Sequence, residues 1–327
     1  MLISTLRAEK KERRALIYIV VTIVLLASAP SFISESLVIT MITVLMYATL
    51  TLSWTMFSGP TRLVSLATAV LFGVGVYVSA VLRGSMPIEL IVLIGGALAF
   101  ILALAIGVLT LRLKGVYFIL FTFGVTALVG NATLWWETHV TGTVGRHIEG
   151  ASNSVVYLLM VIIFSLALLA AFILRNSAAG MALRGIGENQ TAAEHIGIHV
   201  TRLKVLIFAG TAIFMGATGA VMATRWRYVD PSLAFDPLIS FLPVVMAIFG
   251  GISRLYGPIL GTIVLIVLRE FLITEYPYVY LLIFGVTLIG VVLWLPGGLV
   301  EQAEKLIFRL KIEWIKLKMR WKRWRTA

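Results

Sequence analysis

The sequence contains no cysteine among its 327 residues. That absence excludes disulfides, thiolate catalysis, iron–sulfur clusters and zinc sites built on cysteine. Charge is also scarce, since Asp, Glu, Lys and Arg make up 13% of the chain, against about 25% in soluble domains. Hydrophobic residues supply 60% of the chain, and the mean hydropathy is +1.02. A water-soluble fold of this length has no room to bury so much apolar surface, so the composition predicts a membrane protein.

Motifs for nucleotide and metal chemistry are missing as well. The sequence holds no glycine-rich phosphate loop ending in Gly-Lys-Ser or Gly-Lys-Thr, which excludes ATP hydrolysis by that mechanism. His195 and His199 have the spacing of a helical zinc pair, but Gly197 lies between them and a third ligand is missing. We therefore predict no metal, no cofactor and no catalytic residues.

What the sequence has in abundance is apolar segments of about the length that crosses a bilayer. Only helices satisfy their backbone hydrogen bonds within one segment in lipid, and these segments lack the alternation of barrel strands. The sequence thus predicts an all-α, polytopic transmembrane helical bundle of about ten crossings. The segments lie at 15–34, 37–57, 63–82, 87–111, 115–136, 154–174, 203–224, 237–249, 258–272 and 279–296.

The distribution of Lys and Arg predicts the orientation of these segments. If the N-terminus is cytoplasmic, all but five of the 27 basic residues lie on the cytoplasmic side, as the positive-inside rule requires. Both termini are therefore expected in the cytoplasm, which makes the chain a multi-pass protein of the cytoplasmic (inner) membrane. The five exceptions are Arg83, Arg146, Arg225, Arg227 and Arg269.

The net charge of +12 is concentrated at the two ends of the chain, which favours membrane topology over nucleic-acid binding. Residues 1–14 form a basic cytoplasmic N-terminus, and residues 300–327 form a basic amphipathic tail suited to anionic lipid. Between them, 15–299 is the transmembrane domain. The first segment also resembles a signal peptide, and we expect it to be retained rather than cleaved.

Two places in the chain keep alternative interpretations. The short segments 237–249 and 258–272 either cross the membrane or form a re-entrant hairpin. Their glycines indicate either a transport pathway or close helix packing through Gly257 and Gly261, and we favour packing. The loop 137–153 carries several polar residues in a pattern typical of a solvated surface rather than a site. They are Glu137, His139, His147 and Glu149.

The largest predicted cytoplasmic loop, 175–202, contains a candidate partner site. Its sequence 191–197 is rich in residues that favour a short helix, and Gly197 can end that helix. Such a helix can dock into the groove of another protein, although the composition alone favours a solvated connecting loop.

This loop and several other motifs resemble the LivM-type permeases of branched-chain amino acid ABC transporters. In the second half, the resemblance is carried by 181–189, 192–194, 197–198, 200–204, 216–220, 229–231, 249–251, 257–261 and 295–299. In the first half, it is carried by Ser65-Leu66, 72–77 and 114–118.

The resemblance implies a pore-forming subunit that works with a second homologous permease, two cytoplasmic ATP-binding subunits and an external solute-binding protein. It assigns ATPase coupling to a helix in the loop, with Glu188, Ala192, Ala193, Glu194 and Gly197 as its residues. Thr191 departs from the glutamate that such permeases often carry at this position.

The function implied is import of a branched-chain amino acid or a similar small polar solute, with ATP hydrolysed on another chain. Residues 65–69 read Ser-Leu-Ala-Thr-Ala where LivM-type sequences commonly read Ser-Leu-Gly-His-Ala, so urea, short amides and other amino acids remain open as substrates. The alternative function is a self-sufficient secondary transporter or channel for a small neutral solute. No acidic residue lies near the centre of a predicted segment, and ion-coupled carriers usually need one, so the sequence disfavours a secondary transporter.

Four hydroxyl residues are candidates for lining a pathway: Ser65, Thr68, Thr122 and Thr126. Thr122 and Thr126 are spaced to share one helix face. Serine and threonine also bond to carbonyls of their own helix, and this alternative needs no function.

Overall fold

In the computed structural model, the described residues are 26, 34–111, 113, 115–294, 298–302 and 314. The basic N-terminus 1–14, nearly all of the first apolar segment and most of the tail 300–327 lie outside them. The described chain divides into two compact units at residue 244, inside a helix.

Helices account for most of the described residues, as the sequence predicts. In chain order they are α1 (Glu35–Thr61), α2 (Thr68–Leu82), α3 (Ile88–Thr110), α4 (Val116–Trp136), α5 (Asn153–Asn176), α6 (Ala178–Glu188), α7 (Gln190–His195), α8 (Val200–Trp226), α9 (Pro231–Ala234), α10 (Pro237–Gly250), α11 (Gly257–Glu275) and α12 (Tyr280–Trp294). A π-helical turn, Glu137–Thr141, extends α4. Strands β1 (Arg146–His147) and β2 (Tyr228–Val229) pair antiparallel, with Arg146 opposite Val229.

The all-α, polytopic fold is therefore confirmed. Seven helical stretches of the described chain are long and apolar enough to cross a membrane. Two more predicted segments appear as the 15-residue helices α2 and α12, shorter than the roughly 20 residues of an average crossing. The total of ten crossings and the positions of the termini stay predictions.

In the first unit, α8 is the central helix and packs against α1, α2, α3 and α5. Glycines allow its closest contacts. A Cβ placed on Gly75 of α2 would lie 1.8 Å from the Gly216 carbonyl oxygen of α8, and one on Gly216 would lie 2.4 Å from the Gly95 carbonyl oxygen of α3. Small residues at such crossings let helix backbones approach closely, which is the main way helices associate in lipid.

The chain between α1 and α2 is not helical, although the sequence predicts a helix from residue 63. Side chains of other helices satisfy its backbone. The Trp54 indole donates to the Ser65 carbonyl, the Leu66 N–H donates to the Thr122 hydroxyl, and the Ser240 hydroxyl donates to the Leu66 carbonyl. Non-helical backbone inside an apolar bundle requires such partners. We call residues 62–67 the unwound segment.

The second unit contains the end of α10, together with α11 and α12. The predicted close packing through Gly257 and Gly261 is confirmed. A Cβ on Gly250 would lie 1.8 Å from the Gly257 carbonyl oxygen, and one on Gly261 would lie 2.2 Å from the Met246 carbonyl oxygen. Such a contact is compatible with two crossing helices and with a re-entrant pair alike.

Candidate functional site

The loop 175–202 is almost entirely helical, and it forms the pair of short helices α6 and α7. The Ser177 hydroxyl accepts the Gly180 N–H at the start of α6, and the Asn189 side chain accepts the Ala192 N–H at the start of α7. Ser and Asn are strong helix-capping residues, so these caps fix both boundaries. The sequence analysis predicts α7 but not α6, although Ser177 is a residue type that often caps the start of a helix.

Apolar contacts fix the α6–α7 pair to the first turns of α8. Ala193 of α7 is 3% exposed and packs with Leu183, Ile186 and Val200 in a buried cluster. Ala192 is exposed. Of the two small residues assigned to coupling, Ala193 therefore anchors α7 to its own chain, and Ala192 lies on the free face.

The end of α7 presents an apolar side chain to the surroundings. Gly197 has a φ of +86°, a left-handed conformation that glycine adopts without strain, and it follows the last turn of the helix as predicted. The preceding residue, Ile196, is 78% exposed. Ala192, Ile196 and Gly197 are thus exposed uncharged residues on α7 and directly after it.

The α6–α7 pair also contacts the end of α1. The Arg62 guanidinium, which follows α1, forms an ion pair with the Glu188 carboxylate at the end of α6. Gly187 packs against the α1 backbone, since a Cβ there would lie 2.1 Å from the Pro60 carbonyl oxygen. Glu188, one of the residues assigned to coupling, is therefore engaged within this chain.

A second polar contact joins α7 to α8. The Lys204 ammonium, on a residue only 3% exposed, donates to the Gln190 Oε1 at 2.9 Å. The Gln190 amide in turn donates to the Glu194 carboxylate at 3.0 Å. Glu194 therefore also has a partner within the chain.

The predicted pathway residues Ser65 and Thr68 both line a small cavity where α1, the unwound segment, α2 and α8 converge. Its floor includes the rings of Phe57 and Phe208, which contact each other edge-on with centroids 5.1 Å apart. The lining residues are Trp54, Phe57, Ser58, Ser65, Thr68, Leu71, Phe208, Thr211 and Met215.

This cavity is small and contains unused hydrogen-bonding groups. Its volume is about 10 Å³, close to the minimum that holds one water molecule. The hydroxyls of Ser58 and Thr68 are buried and have no partner among the described residues. Buried polar groups nearly always have a partner, so these two hydroxyls are available to water or to a solute.

Thr122 and Thr126 lie on one face of α4, as predicted, but they do not line this cavity. Thr122 accepts the Leu66 N–H, and the Thr126 hydroxyl donates to the Leu66 carbonyl at 3.2 Å. Both also donate to carbonyls of their own helix. Through these hydrogen bonds Thr122 and Thr126 hold Leu66 in place, and with it the neighbouring residue Ser65, which lines the cavity.

The prediction that Glu137 lies on a solvated surface is wrong, whereas His139, His147 and Glu149 are exposed as expected. Glu137 is 1% exposed because the chain after the π-helical turn folds back over it. Its Oε2 accepts the Gly145 N–H at 2.9 Å, and its Oε1 lies 3.6 Å from the Arg146 Nε.

Next to this turn, Asp230 begins α9. Burial acts to raise the pKa of the Asp230 carboxyl, but hydrogen bonds from the Ser232 hydroxyl and the Leu233 N–H outweigh burial and hold the pKa below its usual value. Asp230 is thus a charged helix cap.

The family model described as "Branched-chain amino acid transport system / permease component" matches residues 36–292. The chain belongs to this permease family. The LivM-type resemblance carried by the motifs is confirmed. The permease is accordingly an integral membrane protein and a transport component of ABC type.

Curated relatives of the permease agree with this assignment. It is 26% identical over 156 residues to the high-affinity branched-chain amino acid transport system permease protein LivM of Salmonella typhimurium, covering 47% of this chain and 36% of that one. It is 31% identical over 133 residues to the probable ABC transporter permease protein YphD of Escherichia coli, covering 39% of each. It is 26% identical over 194 residues to the autoinducer 2 import system permease protein LsrC of an Enterobacter species, covering 54% of each.

The matched part of the permease thus spans between about a third and a half of the length of these relatives. No solved structure matches the chain significantly.

Proposed function

We propose that the permease is the membrane-spanning subunit of an ABC importer in the cytoplasmic membrane, moving a branched-chain amino acid or a similar small polar solute. ATP is hydrolysed on two separate cytoplasmic subunits. A second homologous permease completes the pathway, and an external solute-binding protein delivers the solute. In this arrangement 1–14 and 300–327 are cytoplasmic, the latter against anionic lipid, and 15–299 is the permease domain with its coupling loop at 175–202.

The observation that carries the proposal is the free face of α7. Ala192, Ile196 and Gly197 are exposed uncharged residues on a helix pair in which α6 contacts the end of α1 and α7 packs against α8, and both α1 and α8 line the cavity. A docking surface alone would fit many partners. A docking surface attached to the walls of a cavity that contains hydroxyl groups fits a partner that moves those walls.

The cavity supports the substrate class. Its walls are mainly apolar and aromatic, with a few hydroxyls and no charged side chain among the described lining residues. Apolar walls suit a branched side chain, and Ser58 and Thr68 can bond a polar head group. At about 10 Å³ the cavity is far too small for an amino acid, so α1, α2 and α8 must separate during transport, which alternating access requires.

A substitution on the free face of α7 tests this function. In the assembled complex in proteoliposomes, Ala192→Trp should abolish ATP-driven uptake of leucine, because the indole blocks docking without entering the core of this chain. Ala192→Ser keeps a small side chain and is the matched control. Unchanged uptake in the Trp variant, or no ATP-driven uptake by the wild-type complex of any solute tested (leucine, urea or acetamide), contradicts the proposal.

One observation favours the alternative of a secondary transporter. Glu137 is a buried acid on an apolar stretch, and proton- or sodium-coupled carriers use such groups. Its pairing with Arg146 and its position at the end of the stretch argue for a structural role. Uptake driven by an ion gradient in vesicles containing this chain alone would decide for the alternative.

A further inference from the structure

Three buried phenylalanines, each from a different helix, meet at one side of the cavity. Phe57 of α1, Phe118 of α4 and Phe208 of α8 are each at most 3% exposed. The centroid of the Phe57 ring lies 5.1 Å from that of Phe208 and 6.4 Å from that of Phe118. Phe57 and Phe208 line the cavity, whereas Phe118 packs against Phe57 without lining it. We call these three residues the phenylalanine cluster.

The phenylalanine cluster lies on the side of the cavity that is nearest to the α6–α7 pair. Phe57 precedes Arg62 by five positions, and the ion pair of Arg62 leads to α6. Phe208 follows Val200 by eight positions, and Val200 packs with α7. Met215 lines the cavity on the same helix, and it lies about 10 Å further from α7 along the helix axis than Phe208 does. A route from the cavity toward the α6–α7 pair therefore runs past the rings of Phe57 and Phe208.

Helices α3 and α8 approach each other more closely on the far side of the cavity than on the side of α7. On the far side, a Cβ on Gly216 of α8 would lie 2.4 Å from the Gly95 carbonyl oxygen of α3. On the α7 side, a Cβ on Gly107 of α3 would lie 3.5 Å from the Phe208 ring, which is ordinary contact. Backbones that touch through glycine have little room to separate, whereas side-chain rings joined by apolar contact separate without breaking a hydrogen bond. Helix α8 can therefore tilt about its glycine contact and carry Phe208 away from Phe57.

We propose that Phe57 and Phe208, supported by Phe118, form the barrier that closes the cavity toward the α6–α7 pair. The proposal rests on the proposed function, in which the ATPase docks on that pair. The barrier opens when the α6–α7 pair, which contacts both α1 and α8, draws these two helices apart. An apolar constriction of this kind excludes water and ions while it is closed. The solute thus leaves the cavity only after the ATPase has acted.

A thiol placed in the cavity tests the barrier, because the chain has no cysteine of its own. Thr211 lines the cavity, is 4% exposed and lies three positions further from α7 than Phe208, so Thr211→Cys puts a thiol of nearly the same size behind the barrier. The assembled complex is studied in inside-out membrane vesicles, in which the ATPase subunits face the added reagent. Without ATP, a small positively charged thiosulfonate should modify this thiol slowly.

Removal of one ring should open the route to the thiol. The minor state of a two-state protein is typically populated at about 0.1–10%, so Phe208→Ala in the Thr211→Cys background should raise the modification rate about tenfold or more. Phe57→Ala, on the other helix, should have the same effect. Phe208→Leu is the milder variant if the alanine variants do not fold, and it should raise the rate by a smaller factor.

Phe72→Ala in the same background is the matched control. Phe72 of α2 is 0% exposed, its ring centroid lies 5.8 Å from that of Trp226, and it does not line the cavity. This substitution removes a ring that is equally buried and leaves the barrier intact, so the modification rate should stay that of Thr211→Cys alone. If Phe72→Ala raises the rate as much as Phe208→Ala, loosened packing is the cause and the proposal is overturned. A folded Phe208 variant with an unchanged rate overturns it as well.

Addition of ATP separates the barrier from the machinery that opens it. ATP should raise the modification rate of Thr211→Cys with the barrier intact, and the rate in the Phe208→Ala variant should no longer depend on ATP. In a complex that transports its solute, an intact barrier that ATP does not open contradicts the proposal. Failure of the proposed function has a separate signature, because the wild-type complex then shows no ATP-driven uptake, while the difference between Phe208→Ala and Phe72→Ala is measured without ATP.

Discussion

The glycine contacts of α8 allow a prediction in which one helix supplies both the test and its control. A Cβ on Gly216 would lie 2.4 Å from the Ala99 Cβ and 2.4 Å from the Gly95 carbonyl oxygen, whereas ordinary contact begins at 3.4 Å. Neither neighbour is the flexible end of a side chain. Gly216→Ala must therefore push α8 and α3 apart by up to an ångström.

Overpacking of this kind costs about 1–3 kcal/mol, and the better helix propensity of alanine returns up to about 1 kcal/mol. We expect Gly216→Ala to lower the free energy of unfolding by about 1–2 kcal/mol. For Gly210, six residues earlier on α8, the position that a Cβ would occupy has no described atom within 4 Å apart from the neighbouring residues and the local backbone of its own helix. Gly210→Ala should therefore leave stability unchanged or raise it by up to about 1 kcal/mol.

Reversible unfolding in mixed detergent micelles measures both variants against the wild type. The test is whether the free energy of unfolding falls in Gly216→Ala and stays the same or rises in Gly210→Ala, since the two substitutions are chemically identical and lie on the same helix. If Gly216→Ala and Gly210→Ala change stability by the same amount, the close approach of α8 to α3 is not what this glycine provides, and the reasoning fails.

The remaining predictions concern single side chains. Because the chain has no cysteine, Ala192→Cys and Ala193→Cys place one thiol each on α7; a water-soluble maleimide should label the exposed position 192 and leave the buried position 193 largely unlabelled. Equal labelling would contradict the described orientation of α7. Glu137→Leu should lower the free energy of unfolding by about 1–3 kcal/mol, because the Gly145 N–H loses its acceptor. Glu137→Gln keeps an oxygen for Gly145 and should cost less; the same loss in both variants would exclude the hydrogen bond as the cause.

The short helix in the loop 175–202 can be predicted from the local sequence, but the roles of the loop's residues cannot. Helix formers and Gly197 predict α7, and the structure has that helix. Which of Ala192 and Ala193 faces outward depends on the cluster with Leu183 and Val200, residues on other helices. Propensity contains no information about that contact.

The pathway candidates show the same limit. Thr122 and Thr126 share a face because helix geometry fixes their spacing. Thr122 and Thr126 bond the Leu66 backbone and do not line the cavity, because residues 62–67 form the unwound segment. The apolar sequence around these residues gives no signal for that segment. The prediction for Glu137 fails for a related reason, since a polar residue at the end of an apolar segment is ordinarily solvated, and here the following turn covers it.

The sequence by itself determined that this chain is a helical membrane protein, where nearly all its described helices lie, and which permease family it belongs to. These properties follow from apolar length, helix signals and contiguous motifs, which are local in the chain. Only the tertiary structure decided where the helices approach, which hydroxyls meet in the cavity and which buried charges are paired. Those depend on side chains far apart in sequence that become neighbours when the helices pack.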